Sequence, residues 1–209
     1  LHAYSVEALV TTGMTDSDAC IVADKLVLAD SWGTFTHGNK LLGGYLKRLE
    51  AGGTDPLGQA QVASEGPAWT IVDGGNAMGQ IGCDFAMRKA IELADTAGVA
   101  YVGVRNTNHF GAAGVYPAMA AEANMIGIAM ANDIPSVCAP GSRQAIMGTN
   151  PLAYAIPAGS HPADPPRHRN QHSGWREGLC SDTTRRDDPR RLGDRLRRQA
   201  DHRRFALPT

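Results

Sequence analysis

Residues 69–104 read WTIVDGGNAMGQIGCDFAMRKAIELADTAGVAYVGV, and this stretch decides the fold class. Trp69–Val72 is a short apolar run that predicts a strand, and the turn formers after it end that strand. Apolar residues at helical spacing then predict a long helix from about Gly79 to Ala97, with Gly98 as its left-handed C-terminal residue. A second strand is predicted over Val99–Val104. Strand, helix and strand in this order indicate an α/β fold.

The residues before this stretch predict helices. Thr15 is typical of a helix N-cap, and Asp18 places an acid in the first turn, where the helix dipole favours negative charge. The buried stripe of this helix is predicted to contain Val22, Leu26 and Ala29. A further helix is predicted to open at Thr36 and to end at Gly52-Gly53. Its apolar face is predicted from Leu42, Tyr45, Leu46 and Leu49, which recur at helical spacing.

The residues after this stretch continue the alternation as far as Gly159. A helix is predicted over Ala112–Ala123, and strands are predicted over Ile126–Ala131 and Leu152–Ile156. Beyond Gly159 neither a strand period nor a helix period is present. The sequence therefore predicts an organised part over residues 1–160 and a different kind of segment over residues 161–209.

The two parts also differ in charge. Residues 1–160 contain 8 Lys and Arg against 14 Asp and Glu, whereas residues 161–209 contain 12 Arg against 7 acidic residues. The second part has six large apolar residues, which are too few to bury a core, so it is expected to be disordered. No apolar run approaches the roughly 18 residues that span a bilayer, so no membrane association is expected. The first residue is Leu1, which predicts a trimmed start or a fragment.

Two polar clusters could carry chemistry. The first is Thr36-His37-Gly38, where a histidine suited to proton transfer near neutral pH lies beside a glycine that lets a ligand approach the backbone. The second is the run Arg105–Gly111, which contains His109 and follows a strand directly, where α/β proteins place ligands. A capping histidine and a hydrogen-bonded loop are the alternative interpretations of these clusters.

A third candidate comprises two turns that flank predicted strands. Asn132-Asp133 lies at the end of one strand, and Gly148-Thr149-Asn150 precedes the next. Both turns could offer backbone amides and side-chain acceptors to a cofactor, and both could equally be plain turns.

Several function classes lack their sequence signatures. The glycines of residues 73–79 have the wrong spacing for the Gly-x-Gly-x-x-Gly dinucleotide fingerprint, so a turn that leads into a helix is the better interpretation. A phosphate loop and a Gly-x-Ser-x-Gly elbow are both missing, which disfavours a nucleotide triphosphatase or a hydrolase. The four cysteines have no Cys-x-x-Cys spacing, so no metal site is expected.

Taken together, residues 1–160 resemble the malate/L-lactate dehydrogenase family, which also contains ureidoglycolate, sulfolactate and 2,3-diketogulonate enzymes. The resemblance rests on four segments: Thr36–Gly52, Asp73–Gln80, Val104–Gly114 and Gly148–Pro157. It implies an α/β oxidoreductase fold that is specific to this family and differs from the classical dinucleotide-binding fold. It also implies NAD or NADP as cofactor, a small 2-hydroxy or 2-oxo acid as substrate, and a homodimer in the cytoplasm.

The resemblance also assigns roles to residues. His37 matches the histidine of the family's Ser-His-Gly motif, with Thr36 in place of the serine, and would exchange a proton with the substrate oxygen. His109 matches the second active-site histidine and is the alternative acid/base. Lys40 and Asn108 are expected, with Thr36, to bind substrate.

Five further residues are expected to contact the cofactor: Asn132, Asp133, Gly148, Thr149 and Asn150. One departure from the family concerns the position four residues after the first histidine, where an arginine suited to a substrate carboxylate is usual. This chain has Leu41 there, with Lys40 about 100° away on a helix and Lys47 or Arg48 further round. The substrate is therefore not assigned to malate or lactate.

The arginine-rich tail is explained by a change of reading frame. Residues Asp164–Trp175 can be written back as DNA with codons that the genetic code allows. When this DNA is translated from its second base, it gives ILLDIATSTVV. This peptide reads as a strand followed by the Asp-x-Ala-Thr-Ser segment that the family resemblance implies. Asp188–Arg203 read in the same way gives IPEGWAIDSDGKPTTD, which also resembles the family. The prediction is a fold that is incomplete, with residues 161–209 non-native and out of frame.

The sequence is compatible with two other functions. The chain is a truncated and catalytically inactive product if the frameshift lies in the gene itself. Residues 161–209 form a basic nucleic-acid-binding module if their arginines are functional, although interleaved aromatic residues are few there and acids dilute the charge.

Overall fold

The computed structural model describes residues 1–159. The predicted out-of-frame tail and the alternative nucleic-acid-binding module both lie outside the described residues. The described chain divides into two units, one formed by residues 1–132 and 150–159 and the other by residues 133–149.

The secondary structure confirms a mixed helix and strand fold. The helices are α1 (His2–Val10), α2 (Asp16–Ser31), α3 (Leu42–Glu50), α4 (Gly79–Ala97) and α5 (Val115–Glu122). The strands are β1 (Gln61–Gly66), β2 (Trp69–Asp73), β3 (Tyr101–Arg105), β4 (Gly127–Met130), β5 (Val137–Cys138), β6 (Ala145–Met147) and β7 (Leu152–Ala155). No helix of the described chain is long and apolar enough to cross a membrane.

The strands form three small sheets. The first has the order β1-β2-β3, in which β1 is antiparallel to β2 and β2 is parallel to β3, with α4 as the crossover between them. The second pairs β4 with β7 antiparallel, so that Gly127 lies opposite Ala155. The third, β5 with β6, is the antiparallel hairpin of the unit of residues 133–149.

Local sequence explains the two long helices. Thr15 caps α2, since its hydroxyl accepts a hydrogen bond from the Asp18 backbone N–H at 3.2 Å. The predicted stripe of Val22, Leu26 and Ala29 is fully buried. Helix α4 begins and ends where the sequence predicts, and Gly98 ends it at a φ of +79°.

Two clusters of buried side chains hold the larger unit together. The first joins α1, α2, α3 and the start of α4. Its largest members are Leu9, Leu26, Leu42, Tyr45, Leu49, Met78 and Ile81. The second cluster centres on Val115 and Tyr116 of α5 and includes the partly buried Phe110. The His37 segment therefore lies between two packed helices, α2 and α3, and the His109 loop leads into the packed helix α5.

The structure corrects two expectations about the elements. The helix predicted to open at Thr36 begins only at Leu42, because residues 35–41 form two successive 3₁₀ turns separated by Gly38. Strand β1 was missing from the prediction because Gln61–Gly66 lacks apolar alternation, and its residues are almost all exposed.

Candidate functional site

The loop after β3 carries His109, and its course is fixed by the turn after β2. The Asp73 carboxylate accepts hydrogen bonds from Asn106 Nδ2 at 2.9 Å and from the Gly75 backbone N–H at 3.0 Å, and it pairs with Arg105 at 3.2 Å. These hydrogen bonds, that of Asn106 first, hold the pKa of Asp73 below its usual value. The backbone adds a hydrogen bond from Asn76 N to the Asn106 carbonyl at 2.9 Å.

Glycines let this loop lie directly against α4. A Cβ built on Gly79 would be 2.2 Å from the Asn108 carbonyl oxygen and 2.6 Å from the His109 carbonyl carbon. A Cβ on Gly74 would be 2.9 Å from the Asn106 carbonyl oxygen. Gly74 and Gly79 therefore serve close packing of the His109 loop, which agrees with the absence of a dinucleotide fingerprint.

The segment that carries His37 is held by the end of α2. The Asp30 carboxylate accepts hydrogen bonds from the backbone N–H of Asn39 at 3.0 Å and from its side-chain amide at 2.8 Å. A Cβ on Gly38 would overlap this same carboxylate, so residue 38 has to be a glycine while Asp30 holds the turn. His37 itself lies in the 3₁₀ turn Phe35–His37, and its backbone N–H donates to the Thr34 carbonyl at 2.9 Å.

The fold brings His37 and His109 together although they are far apart in sequence. Their ring centroids are 6.0 Å apart and the ring planes meet at 26°. The His37 ring is half-buried and the His109 ring is exposed. Because a hydrogen bond spans about 2.6–3.2 Å between heavy atoms, one oxygen of a small bound molecule can be reached by both rings. The pair predicted from sequence is thus close enough to act on one ligand.

Tyr45 and Gln80 lie behind His109. The Tyr45 hydroxyl is 2.7 Å from Nδ1 of His109, and Gln80 Nε2 donates to that hydroxyl at 3.2 Å. Gln80 is fully buried and Tyr45 is 7% exposed. Burial raises the pKa of Tyr45 to about 12, against a smaller lowering by the hydrogen bond from Gln80. The phenol therefore stays protonated at physiological pH.

Asn108 braces the loop from within. Its side-chain amide donates to the Asn76 carbonyl at 3.0 Å and to the Ala77 carbonyl at 2.9 Å, and its oxygen accepts from Arg48 Nη2 at 2.9 Å. Arg48 is further held by Thr54, whose hydroxyl accepts from Nε at 3.2 Å. An exposed guanidinium is thus fixed next to the residue that precedes His109.

Thr36 and Lys40 lie on either side of His37. The Thr36 hydroxyl is 2.9 Å from Nδ1 of His37, so it can orient that ring. Lys40 lies in the second 3₁₀ turn, Asn39–Leu41, and is exposed. Both side chains belong to the His37 segment, as the sequence predicts.

The residues predicted to contact the cofactor fall in both units. Asn132 and Asn150 belong to the larger unit, whereas Asp133, Gly148 and Thr149 belong to the unit of residues 133–149. Within the smaller unit the Thr149 hydroxyl donates to the Asp133 carboxylate at 2.8 Å, and both residues are exposed. A carboxylate and a hydroxyl side by side fit the sugar hydroxyls of a dinucleotide, since a carboxylate accepts hydrogen bonds and repels phosphate.

Two of the residues at this site were not predicted as site residues. Tyr45 was assigned only to the apolar face of its helix, yet a buried tyrosine needs a partner for its hydroxyl, and that requirement is a usable signal. Gln80 has no such signal, because its burial follows from how α4 packs against the rest of the molecule. In residues 1–159, no group of three or more His, Cys, Asp or Glu is arranged to hold a metal ion.

Comparison with known proteins identifies the family to which this chain belongs. A sequence model of the malate/L-lactate dehydrogenase family matches residues 1–164. The chain belongs to this family.

Individual relatives agree with the family assignment. The malate dehydrogenase of Pyrococcus abyssi is 41% identical over 162 residues, which are 78% of this chain and 45% of the relative. The NAD(+)-dependent ureidoglycolate dehydrogenase of Escherichia coli (strain K12) is 36% identical over 157 residues, 75% of this chain and 45% of the relative. The solved structure of malate dehydrogenase from Pyrococcus horikoshii OT3 superposes with a TM-score of 0.73 at 41% identity, covering 75% of this chain and 45% of that one. The chain thus spans about half the length of the relatives it matches.

Proposed function

We propose that the protein to which this chain corresponds is an NAD(P)-dependent oxidoreductase that interconverts a small 2-hydroxy acid and its 2-oxo acid. The observation that carries the proposal is the pair of histidine rings, His37 and His109, with centroids 6.0 Å apart. Family membership supports the reaction class, since the relatives are named as dehydrogenases of malate and ureidoglycolate.

The proposed chemistry needs one proton donor and acceptor at the substrate oxygen. When bound, the nicotinamide supplies the hydride for the carbonyl carbon or accepts it from the alcohol carbon. His37 as imidazolium gives its proton to the oxygen during reduction, and neutral His37 removes it during oxidation. Thr36 holds the His37 ring through Nδ1 in either direction.

Leu41 occupies the position at which the family usually has a carboxylate-binding arginine. Two other cations are therefore candidates for binding the substrate carboxylate. Lys40 lies three residues after His37, and Arg48 is fixed against Asn108 beside His109. A guanidinium binds a carboxylate through two parallel hydrogen bonds, which favours Arg48. Asn108 then acts by positioning Arg48 and the loop, since its amide is engaged with Asn76 and Ala77.

Within the unit of residues 133–149, Asp133 and Thr149 are proposed to contact the cofactor sugar, with Gly148 contributing its backbone amide. Asn132 and Asn150 of the larger unit are each proposed as a separate cofactor contact. The donor set of Asp133 and Thr149 supports contacts with ribose hydroxyls. A homodimer in the cytoplasm is part of the same proposal and follows from the family alone.

The test is an enzyme assay on the protein with its reading frame restored. NADH and NADPH oxidation would be followed with oxaloacetate, pyruvate and other 2-oxo acids, and the reverse reaction with the matching 2-hydroxy acids. His37→Gln is expected to reduce kcat by about 10²–10⁴-fold, the usual contribution of an acid/base group. A folded protein without turnover of any substrate pair would contradict the function, and full activity of His37→Gln would contradict the role of His37.

A second proposal concerns the chain itself, which we infer to be inactive because its tail is out of frame. The specific observation is that the family match ends at residue 164, the residue at which the shifted reading of ILLDIATSTVV begins. Purified chain of 209 residues is then expected to show no NAD(P)H oxidation under conditions in which the frame-restored protein is active.

A further inference from the structure

A hydroxyl and a backbone N–H converge on one nitrogen of His109. The Tyr45 hydroxyl lies 2.7 Å from Nδ1, and the Gly111 backbone N–H points at the same nitrogen from 3.4 Å. A backbone N–H can only donate, so Nδ1 faces at least one obligatory donor. This arrangement favours an Nδ1 that carries a lone pair.

The direction of the Tyr45 hydroxyl follows from counting protons. Tyr45 has one hydroxyl proton, and its oxygen accepts from Gln80 Nε2 at 3.2 Å. The proton is therefore free to be donated to Nδ1 of His109. Burial raises the pKa of Tyr45 to about 12, so the hydroxyl retains this proton over the whole physiological range.

We propose that Tyr45 and Gln80 are positioning residues that hold neutral His109 in the tautomer with its proton on Nε2. In this tautomer Nε2 of His109 can only donate a hydrogen bond, and the basic nitrogen of the ring is Nδ1, which faces Tyr45. The two histidines then have different roles, since His109 polarises the substrate carbonyl and His37 transfers the proton. This division of roles rests on the proposed function, whereas the tautomer itself does not.

The Gln80 amide sets the direction of the whole chain of hydrogen bonds. Gln80 is fully buried in the first turn of α4, and within the described chain its Oε1 has no hydrogen-bond partner. If an acceptor replaced Nε2 beside Tyr45, the hydroxyl would donate to that acceptor and would accept from Nδ1–H of His109. A single change at residue 80 is therefore expected to reverse the tautomer.

The test is nitrogen NMR on the 209-residue chain with ¹⁵N-labelled histidine, at a pH of about 8.5, where a free imidazole is neutral. Resonances of His109 are assigned by their loss in His109→Gln. The expected result is an unprotonated Nδ1 and a protonated Nε2. A protonated Nδ1 in the unmodified chain would overturn the proposal, whether or not the protein is a dehydrogenase.

Two variants separate a positioning role from a merely structural one. Gln80→Glu, which places a carboxylate beside Tyr45, is expected to shift most of the His109 population to the Nδ1–H tautomer. Tyr45→Phe is expected to give a mixture of both tautomers.

Tyr101→Phe, at an exposed tyrosine on β3, is the matched control and should leave the His109 spectrum unchanged. Far-UV circular dichroism and cooperative unfolding confirm that each variant folds, and an unchanged tautomer in folded Gln80→Glu would overturn the proposal.

Discussion

At Gly79 the backbone of α4 touches the backbone of the loop that carries His109. An added Cβ would lie 2.2 Å from the Asn108 carbonyl oxygen, and a rigid backbone atom cannot be displaced as a flexible side chain can. Overpacking of this kind costs about 1–3 kcal/mol. The position of His109 therefore depends on a residue that takes no part in the chemistry.

Gly79→Ala is expected to lower the free energy of unfolding by about 2 kcal/mol because the loop has to move away from α4. Gly44→Ala in α3 is the matched control, since no atom lies within 4 Å of its added Cβ. Alanine is the better helix former, so the control should be more stable by about 0.5–1 kcal/mol. Urea unfolding of both variants measures the difference, and equal effects would show that the contact at Gly79 is unimportant.

The sequence predicts single residues well where a motif carries them. His37 stands next to Gly38 and His109 stands two residues before Gly111, both in polar runs that follow regular elements. The two histidines prove to be neighbours in the fold. Tyr45 is different, because a helical period predicts that it is buried and gives no partner for its hydroxyl. The partner, His109, is 64 residues further along the chain, and no local pattern predicts that contact.

At the scale of elements, one buried carboxylate links α2 to α4. Asp84 is 4% exposed and pairs with Lys25 of α2 at 2.6 Å and with Arg88 of its own helix at 2.6 Å. Burial acts to raise the pKa of Asp84, but the hydrogen bonds and positive charges of Arg88 and Lys25 outweigh it and hold the pKa below its usual value. The ion pair is therefore intact at neutral pH.

Asp84→Asn is expected to destabilise the protein by about 3 kcal/mol at pH 7, because it leaves the Lys25 charge buried without its partner. The pKa of Asp84 is lower in the folded state than in the unfolded state, where it is about 3.9. The contribution of the Asp84 carboxylate to the free energy of unfolding is thus fully present above the unfolded-state pKa of about 3.9. It is lost as the pH falls through the pKa of the folded state. Urea unfolding measures the free energy of unfolding of the unmodified chain and of Asp84→Asn. The difference between the two should be smaller at about pH 3 than at pH 7.

The control for this prediction is Glu92→Gln on the same helix. Glu92 is 71% exposed and 3.6 Å from Lys89, and such surface pairs contribute about 0–1 kcal/mol. A Glu92→Gln variant as unstable as Asp84→Asn would contradict the assignment of the stability to the buried pair.

Elements with strong local signals are those that the sequence predicts best. Helix α4 has a glycine stop and a long apolar period, and its predicted bounds match the structure. The edge strand β1 and the short hairpin of β5 and β6 have neither signal, since their residues are mostly exposed or few. Their pairing depends on neighbouring strands, which a local pattern does not contain.

The sheet of β4 and β7 has one apolar face that the described chain leaves exposed. The exposed side chains are Ile128, Met130, Leu152 and Tyr154, whereas the small residues that alternate with them are buried or half-buried. Each strand pairs on one side only within residues 1–159. An apolar face with free strand edges favours association with other chains.

The 209-residue chain is therefore expected to bind the dye ANS and to aggregate. Replacing Ile128 and Tyr154 together by threonine keeps the strand propensity of β4 and β7. This double variant should show less ANS fluorescence and less light scattering than the unmodified chain. Leu57→Thr, at a single exposed leucine in a loop, is the control and should change little. Dye fluorescence and light scattering measure the outcome, and equal signals from the double variant and the unmodified chain would contradict a role for this face.

At the scale of the whole molecule, the proposed reading-frame change explains two observations at once. The family match ends at residue 164, and the arginine-rich composition begins at about the same place. In the shifted frame, residues 164–175 read ILLDIATSTVV, whose apolar start is typical of a buried strand. Such a strand could pair with an edge of the β4 and β7 sheet that has no neighbouring strand within residues 1–159.

Sequencing of the gene across the codons from Gly148 to Trp175 is expected to reveal one inserted or missing base. The frame-restored protein should then bind less ANS than the 209-residue chain, because its additional residues cover the face of β4 and β7, and it should turn over a 2-hydroxy acid. An intact frame, together with tryptic peptides of the arginine-rich segment in the protein purified from its source, would contradict this explanation. In that case the arginines would need a function of their own, and salt-dependent retention on DNA that is lost on deleting residues 161–209 would be the next measurement.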